Sequence, residues 1–256
     1  MTRRWVEYMW GTAITLDVRD DAKRDDVECV FTWFRRVDAL FSTWRSDSEI
    51  SRLGRRDLRL DQVSPEVRAV LEICDRVNEE SRGAFDIYFG ADPRVAWREG
   101  FGPIDPSGLV KGWALERASE MLRANLIDNF AINAGGDVIA AGQPEPGSPW
   151  HVGLQHPWQR DKVAMVLALT DRGVATSGRY ERGDHIIDPR TGRPARQLMA
   201  VSVVADDLAL ADGYATTALA LGDDGPEWLA EHSLAALTIA NDATVTVTSA
   251  LEPYRA

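Results

Sequence analysis

The chain has 256 residues, 45% hydrophobic and 27% charged, which is ordinary for a soluble globular protein and allows one large domain or two small ones. A formal net charge of −11 argues against nucleic-acid binding, because grip on a phosphate backbone needs a basic face, but it leaves room for a phosphorylated ligand held through a cation and backbone amides. Two cysteines, Cys29 and Cys74, are too few for a disulfide framework or a zinc cluster and read as buried thiols.

The first residues, Met1 to Tyr8, carry Arg3 and Arg4 but no apolar run of signal-peptide length, and Glu7 and Asp17 interrupt any candidate. No stretch approaches the about 18 apolar residues of a membrane span, so no membrane segment is expected and the expected address is the cytoplasm. Thr12 to Val18 alternates as a strand does. Asp26 to Phe41 places Val27, Val30, Phe31, Phe34, Val37, Leu40 and Phe41 on a helical stripe. The polar stretch from Ser42 to Ser51 then reads as a loop followed by a capped helix. Ser64-Pro65 is a helix start, cap followed by Pro at the first turn, and that helix ends near Gly83.

Gly83-Ala84-Phe85-Asp86 opens a loop rich in Gly and Pro, after which a helix is expected from Trp113 to Leu122. Phe130 to Ile139 reads as one buried strand interrupted by Gly135-Gly136, where a ligand or another backbone can come close. Val152 to Leu154, Val163 to Leu169 and Val201 to Ala205 read as strands, and Ala235 to Ile239 with Thr244 to Thr248 as a hairpin. Repeats and low-complexity tracts are absent. Helices and strands alternate without a regular βαβ rhythm, which points to an α+β fold in a single domain spanning 1–256.

Chemistry concentrates in a few segments. Ala211-Asp212-Gly213-Tyr214-Ala215-Thr216-Thr217 reads as the start of a helix, with a carboxylate and a hydroxyl on one face. Two hard oxygens there suit Mg²⁺; an N-terminal cap plus a hydroxyl bonded back to its own helix accounts for the same letters. Asp105-Pro106-Ser107-Gly108-Leu109-Val110-Lys111-Gly112 offers a carboxylate, a bare backbone and an ammonium, or simply a helix N-terminus with an exposed lysine. Asn133-Ala134-Gly135-Gly136-Asp137 and Thr176-Ser177-Gly178 are ambiguous in the same way, and His185 fits a strand end. A nucleophile elbow, a Walker loop and a dinucleotide fingerprint are all missing from the sequence.

Taken in order, these clusters resemble the ApbE family of FAD:protein FMN transferases across nearly the whole chain. The resemblance runs through Trp10-Gly11-Thr12, Phe41 to Trp44, Asp47 to Leu53, Gly83 to Asp86, Val110 to Ala114, Asn133 to Asp137, Thr176 to Arg182, His185 to Pro194 and Ala211 to Thr216. It implies a T-fold-related α+β domain with mixed or antiparallel sheets flanked by helices. It further implies Mg²⁺-dependent transfer of FMN from FAD, as substrate, to a Thr or Ser hydroxyl of an acceptor flavoprotein, with release of AMP. On that resemblance Asp212, Thr216 and the Gly108 carbonyl would hold Mg²⁺. Trp10, Ser48, Ala84, Phe85, Asp86, Asp105, Lys111 and Ile186 would line the FAD site, with Phe41 and Trp44 as further aromatics for a flat ring. His185 is the candidate base for the acceptor hydroxyl, since imidazole titrates near pH ~6.5.

The chain departs from the family pattern at Pro106-Ser107, Tyr88, Gly90-Ala91-Asp92 and Glu116. Two other activities are compatible with the same residues: a Mg²⁺-dependent FAD pyrophosphatase giving FMN and AMP, and a non-catalytic FAD-binding protein.

Overall fold

The structure is a computed structural model and describes residues 3–89, 104–183 and 186–256. It opens with a hairpin of β1 (Arg3–Met9) and β2 (Thr12–Val18), whose two-residue turn, Trp10-Gly11, has φ of 57° and 75°. Positive φ at both central residues lets a two-residue turn follow the right-handed twist of the strands. Three helices follow: α1 (Arg24–Phe41), α2 (Glu49–Gly54) and α3 (Pro65–Glu80). The α1 stripe is buried as its spacing requires, from Val27 through Phe41. Ser64 caps α3 by accepting from the Val67 N–H, with Pro65 in the first turn.

The next helix, α4 (Ser107–Ala124), begins six residues before the expected Trp113, because Asp105 accepts the Ser107 N–H at 3.0 Å and stabilises an earlier start. The expected single strand with a glycine interruption is instead the hairpin β3 (Phe130–Ala134) and β4 (Asp137–Ala141). Gly135 and Gly136 have φ of 66° and 99° and form its turn. There follow β5 (Trp150–His156), β6 (Gln159–Leu169), β7 (Arg172–Gly178), the single turn α5 (Arg179–Arg182) and the short pair β8 (Ile187–Asp188) and β9 (Arg193–Pro194). The chain continues through β10 (Leu198–Ala205), α6 (Leu208–Leu221), α7 (Gly225–Glu231), β11 (Ala235–Ala240) and β12 (Val245–Val247), the last two forming the expected hairpin.

One eight-stranded sheet in the order β1-β2-β3-β4-β7-β10-β11-β12 organises the fold. Every pairing among the described residues is antiparallel, so of the expected mixed or antiparallel sheets the antiparallel kind is the one present. Strand alternation divides the core. Ile139, Ala141, Val201 and Val203 face the helices, while Val138, Ala140, Ala200 and Val204 face the β5–β6 hairpin. The larger core lies on the helical side and the smaller one under the hairpin, where Trp150 donates its indole N–H to the Ala141 carbonyl at 2.9 Å. The result is three layers, with β7 central in the middle one. Among the described residues no helix is long and apolar enough to cross a membrane.

Candidate active site

Two helices set the site, and their spacing comes from residues without side chains. A Cβ on Gly112 of α4 would lie 2.1 Å from the Leu208 carbonyl oxygen and 3.0 Å from the Asp212 Cβ, so only glycine admits this approach of α4 to α6. One turn earlier, a Cβ on Gly108 would meet the Thr216 side chain at 3.0 Å and the Phe85 ring at 3.3 Å. The close crossing joins residues about a hundred positions apart.

Asp212 lies in the second turn of α6, not at its start. The helix is capped by Asp207, which accepts the Leu210 N–H at 3.0 Å, and by Glu116 of α4, which accepts the Leu208 N–H at 3.0 Å. Asp212 therefore has no capping duty. It is 2% exposed and accepts the Gly112 N–H at 3.1 Å. Burial pushes its carboxyl up to about 7, opposed by the nearby Lys111 charge and reinforced by that of Asp137.

Nor does Thr216 bond back into its own helix; Thr217 does that, through the Gly213 carbonyl at 2.8 Å. The Thr216 hydroxyl instead donates to the Gly108 carbonyl at 3.2 Å and lies 2.9 Å from the Ser177 hydroxyl of β7. Lys111 pairs with the fully buried Asp137 of β4, whose other oxygen accepts the Thr176 N–H at 2.9 Å. Helix α4, helix α6 and strands β4 and β7 thus meet at one point.

That point belongs to a cleft of about 1010 Å³ at one end of the large sheet. Its volume reaches the upper part of the ~300–1,000 Å³ range of ligand sites, room enough for a dinucleotide. Of the residues expected to bind FAD or metal, Trp10, Ala84, Phe85, Asp86, Asp105, Gly108, Lys111, Ile186, Asp212 and Thr216 all line it. Trp10 packs edge-on against Phe34 at 5.1 Å, and its buried indole N–H has no partner among the described residues. Asp86 and Asp105 are engaged in their own loops, accepting the Tyr88 and Ser107 N–H groups at 2.8 and 3.0 Å.

Three of the expected residues do not meet at this wall. Ser48 is fully buried outside the cleft lining; its hydroxyl caps α2 by accepting the Ser51 N–H at 3.2 Å and donates to the Ser42 carbonyl at 2.8 Å. Phe41 is core, packed against Trp113 at 5.5 Å, and Trp44 is 95% exposed. His185 and the departure at 90–92 lie outside the described residues, although Ile186 lines the cleft. The departure at Glu116 has a structural use, as the carboxylate that joins α4 to the start of α6.

Sequence reasoning missed part of the wall. Gly153, Leu154 and Gln155 reach it from the β5–β6 hairpin, and no local pattern marks them. Asp137 and Ser177 stood inside segments already noted for their glycines, and the carboxylate or hydroxyl beside each glycine was the available signal.

Fold and cleft together define a class: a three-layer α+β protein whose antiparallel sheet ends at a pocket floored by hard oxygen donors. Among the described residues no group of three His, Cys, Asp or Glu side chains could hold a metal. A model of the ApbE family matches residues 10–103 and 98–238, and the chain belongs to that family. It is 26% identical to the FAD:protein FMN transferase of Klebsiella pneumoniae, over 73% of this chain and 68% of that one. With the protein of the same name from Haemophilus influenzae it shares 25% identity, over 89% and 80%. The fold matches the flavin transferase ApbE from Vibrio cholerae with a TM-score of 0.84 at 23% identity, covering 99% of this chain and all of the other. The ApbE protein from Thermotoga maritima matches with a TM-score of 0.87 at 22% identity, both chains covered in full.

Proposed function

We propose that the protein transfers FMN from FAD to a Thr or Ser hydroxyl of an acceptor flavoprotein, with Mg²⁺, releasing AMP. The observation that carries this reading is the meeting of Asp212, Thr216 and the Gly108 carbonyl on the floor of a dinucleotide-sized cleft, in a chain of the ApbE family.

The donor set supports Mg²⁺. A carboxylate, a hydroxyl and a carbonyl are hard oxygens, few enough to leave coordination places for water and phosphate. Among the described residues Asp212 is buried with one backbone amide and the Lys111 field as compensation, so a cation beside it relieves the cost of its charge. When bound, Mg²⁺ would neutralise pyrophosphate oxygens and act as a Lewis acid on the phosphoryl group.

The chain's own residues account for the rest. Asp137 keeps the Lys111 ammonium at the floor, beside the carboxylate, where it can meet a phosphate oxygen. Trp10, Ala84, Phe85 and Ile186 give the cleft flat and apolar surfaces suited to a ring system. The Trp10 N–H, buried and without a partner among the described residues, is a donor available to a ring oxygen or nitrogen. In the transfer, the acceptor oxygen forms a bond to the FMN phosphorus while the bond to the bridging oxygen breaks, and that oxygen leaves on AMP with the electron pair. The acceptor's hydroxyl proton goes to a base, for which His185 is the candidate; the place of its neighbour Ile186 at the cleft supports it.

Incubation of the protein with FAD, Mg²⁺ and a candidate acceptor domain tests the reading. The expected result is an acceptor mass increase of one FMN with stoichiometric AMP. AMP without the mass increase would establish hydrolysis instead, and tight FAD binding without AMP would establish a carrier.

A further inference from the structure

We infer that Ser177 positions the Thr216 hydroxyl for metal ligation and, once it does so, offers its own proton to a phosphate oxygen of the bound nucleotide. The inference rests on the assignment of Thr216 and the Gly108 carbonyl as cation ligands. A hydroxyl carries one proton and two lone pairs, whereas a carbonyl oxygen can only accept. With Thr216 donating to the Gly108 carbonyl at 3.2 Å, the Ser177 hydroxyl, 2.9 Å away, must be the donor to Thr216.

Ligation reverses that order. When the Gly108 carbonyl and the Thr216 hydroxyl both give a lone pair to a cation, the Thr216 proton is driven away from the carbonyl. The other acceptor already within reach is the Ser177 oxygen. Ser177 then accepts instead of donating, and its own proton needs a new acceptor. No second partner for its hydroxyl is seen among the described residues, and the side chain lines the cleft while 9% exposed. Among the described residues that leaves a ligand oxygen in the cleft as the acceptor, and next to a cation and Lys111 that oxygen is a phosphate's.

The sheet holds Ser177 in place for this. It pairs with Val201 of β10, and the preceding Thr176 is fixed by Asp137 through its N–H and by Ser202 through a 2.8 Å hydroxyl contact. Its role is therefore rigid positioning, with a proton whose direction reports whether the metal site is filled.

Mn²⁺ binding to the full chain, read by electron paramagnetic resonance, tests this without turnover. Ser177→Ala is expected to weaken Mn²⁺ by about 10-fold, the usual cost of removing a residue that orients a ligand, while Ser177→Thr stays within about threefold of the parent. In the Mn²⁺-loaded protein, inorganic pyrophosphate should also bind more weakly to Ser177→Ala. If that variant does not fold, Ser177→Cys keeps the volume but is a weak acceptor, and the same weakening is expected. Unchanged Mn²⁺ affinity in Ser177→Ala, or equal weakening in Ser177→Thr, would overturn the inference. Asp212→Ala separates the two levels: unchanged Mn²⁺ binding there overturns the metal assignment itself, whereas loss there with a normal Ser177→Ala overturns only the role of Ser177.

Discussion

Helices α1 and α6 pack in the same core and are built in opposite ways. In α1 a stripe of large side chains faces the core, and the outer face carries an ion-pair network in which Arg24 and Arg35 share Glu7 and Glu28. In α6 burial goes all the way round, and only Leu210, Thr216 and Leu221 keep partial exposure. Its residues are mostly small, so neighbouring backbones approach closely, and the single carboxylate among the buried residues is Asp212. Helix α1 is held by area, whereas α6 is held by contact with four or more other elements and carries the carboxylate and hydroxyl of the proposed metal site. Burial of apolar area tolerates small shifts in position. A site made of one carboxylate, one hydroxyl and one carbonyl from two helices does not.

That contrast can be broken from either side. The largest effect expected is on catalysis: Asp212→Ala should reduce AMP release from FAD by more than about 10³-fold, above about 4 kcal/mol of barrier, with melting little changed. Normal turnover in that variant would remove Asp212 from the metal set. Phe31→Ala in α1 should act the other way, lowering unfolding free energy by about 3–4 kcal/mol in urea titration, because Phe31 is fully buried. Mn²⁺ affinity of its folded fraction should equal the parent's, and a parallel loss of metal binding would show that the two helices are not separable.

Gly112→Ala is expected to fall between these. The added methyl collides with the Leu208 carbonyl, so stability drops by about 2–3 kcal/mol and metal affinity drops with it, as calorimetry of both would record. Glu116→Gln should have the smallest effect. Burial raises the Glu116 carboxyl above its ordinary value despite the Leu208 N–H, with Asp207 and Glu120 adding to the rise and Arg123 opposing it. A raised folded-state value means that ionisation costs the folded state; the cost is present above that value and vanishes below the unfolded one. The glutamine variant should therefore melt slightly above the parent at pH 8, with the gap closing as the pH falls toward 4. A gap that widened on acidification would contradict the assigned cause.

The same contrast explains what could be read beforehand. Amphipathic α1 and the capped α3 follow from local pattern because each has one face to solvent and one to the core. Strand β2 follows from its alternation, and the last hairpin from two β-prone runs on either side of Asn241-Asp242, although β11 is buried on both faces. Central strand β7 went unrecognised as a strand because it is buried on both faces and its Thr176-Ser177-Gly178 end belongs to the site. Edge strand β1 was missed because its polar Arg3, Arg4 and Glu7 conceal a half-buried ribbon. The extent of α6 was hidden for want of a polar face, so Asp212 read as lying near a helix start. The proposed site residues come from the family resemblance, and the cleft gathers ten of them. What brings them together, the two glycines of α4, becomes visible only with Leu208 and Thr216 placed against them.

The crossing at Gly112 has a practical consequence. Since a backbone-to-backbone stop sets the oxygen trio, the walls above it can be remodelled independently. Ala84 and Ile186, which line the cleft, are natural places to enlarge or narrow the chamber for synthetic flavin analogues. The proposed metal-binding end would then serve as a fixed chuck, and the proposed ring end as an exchangeable jaw.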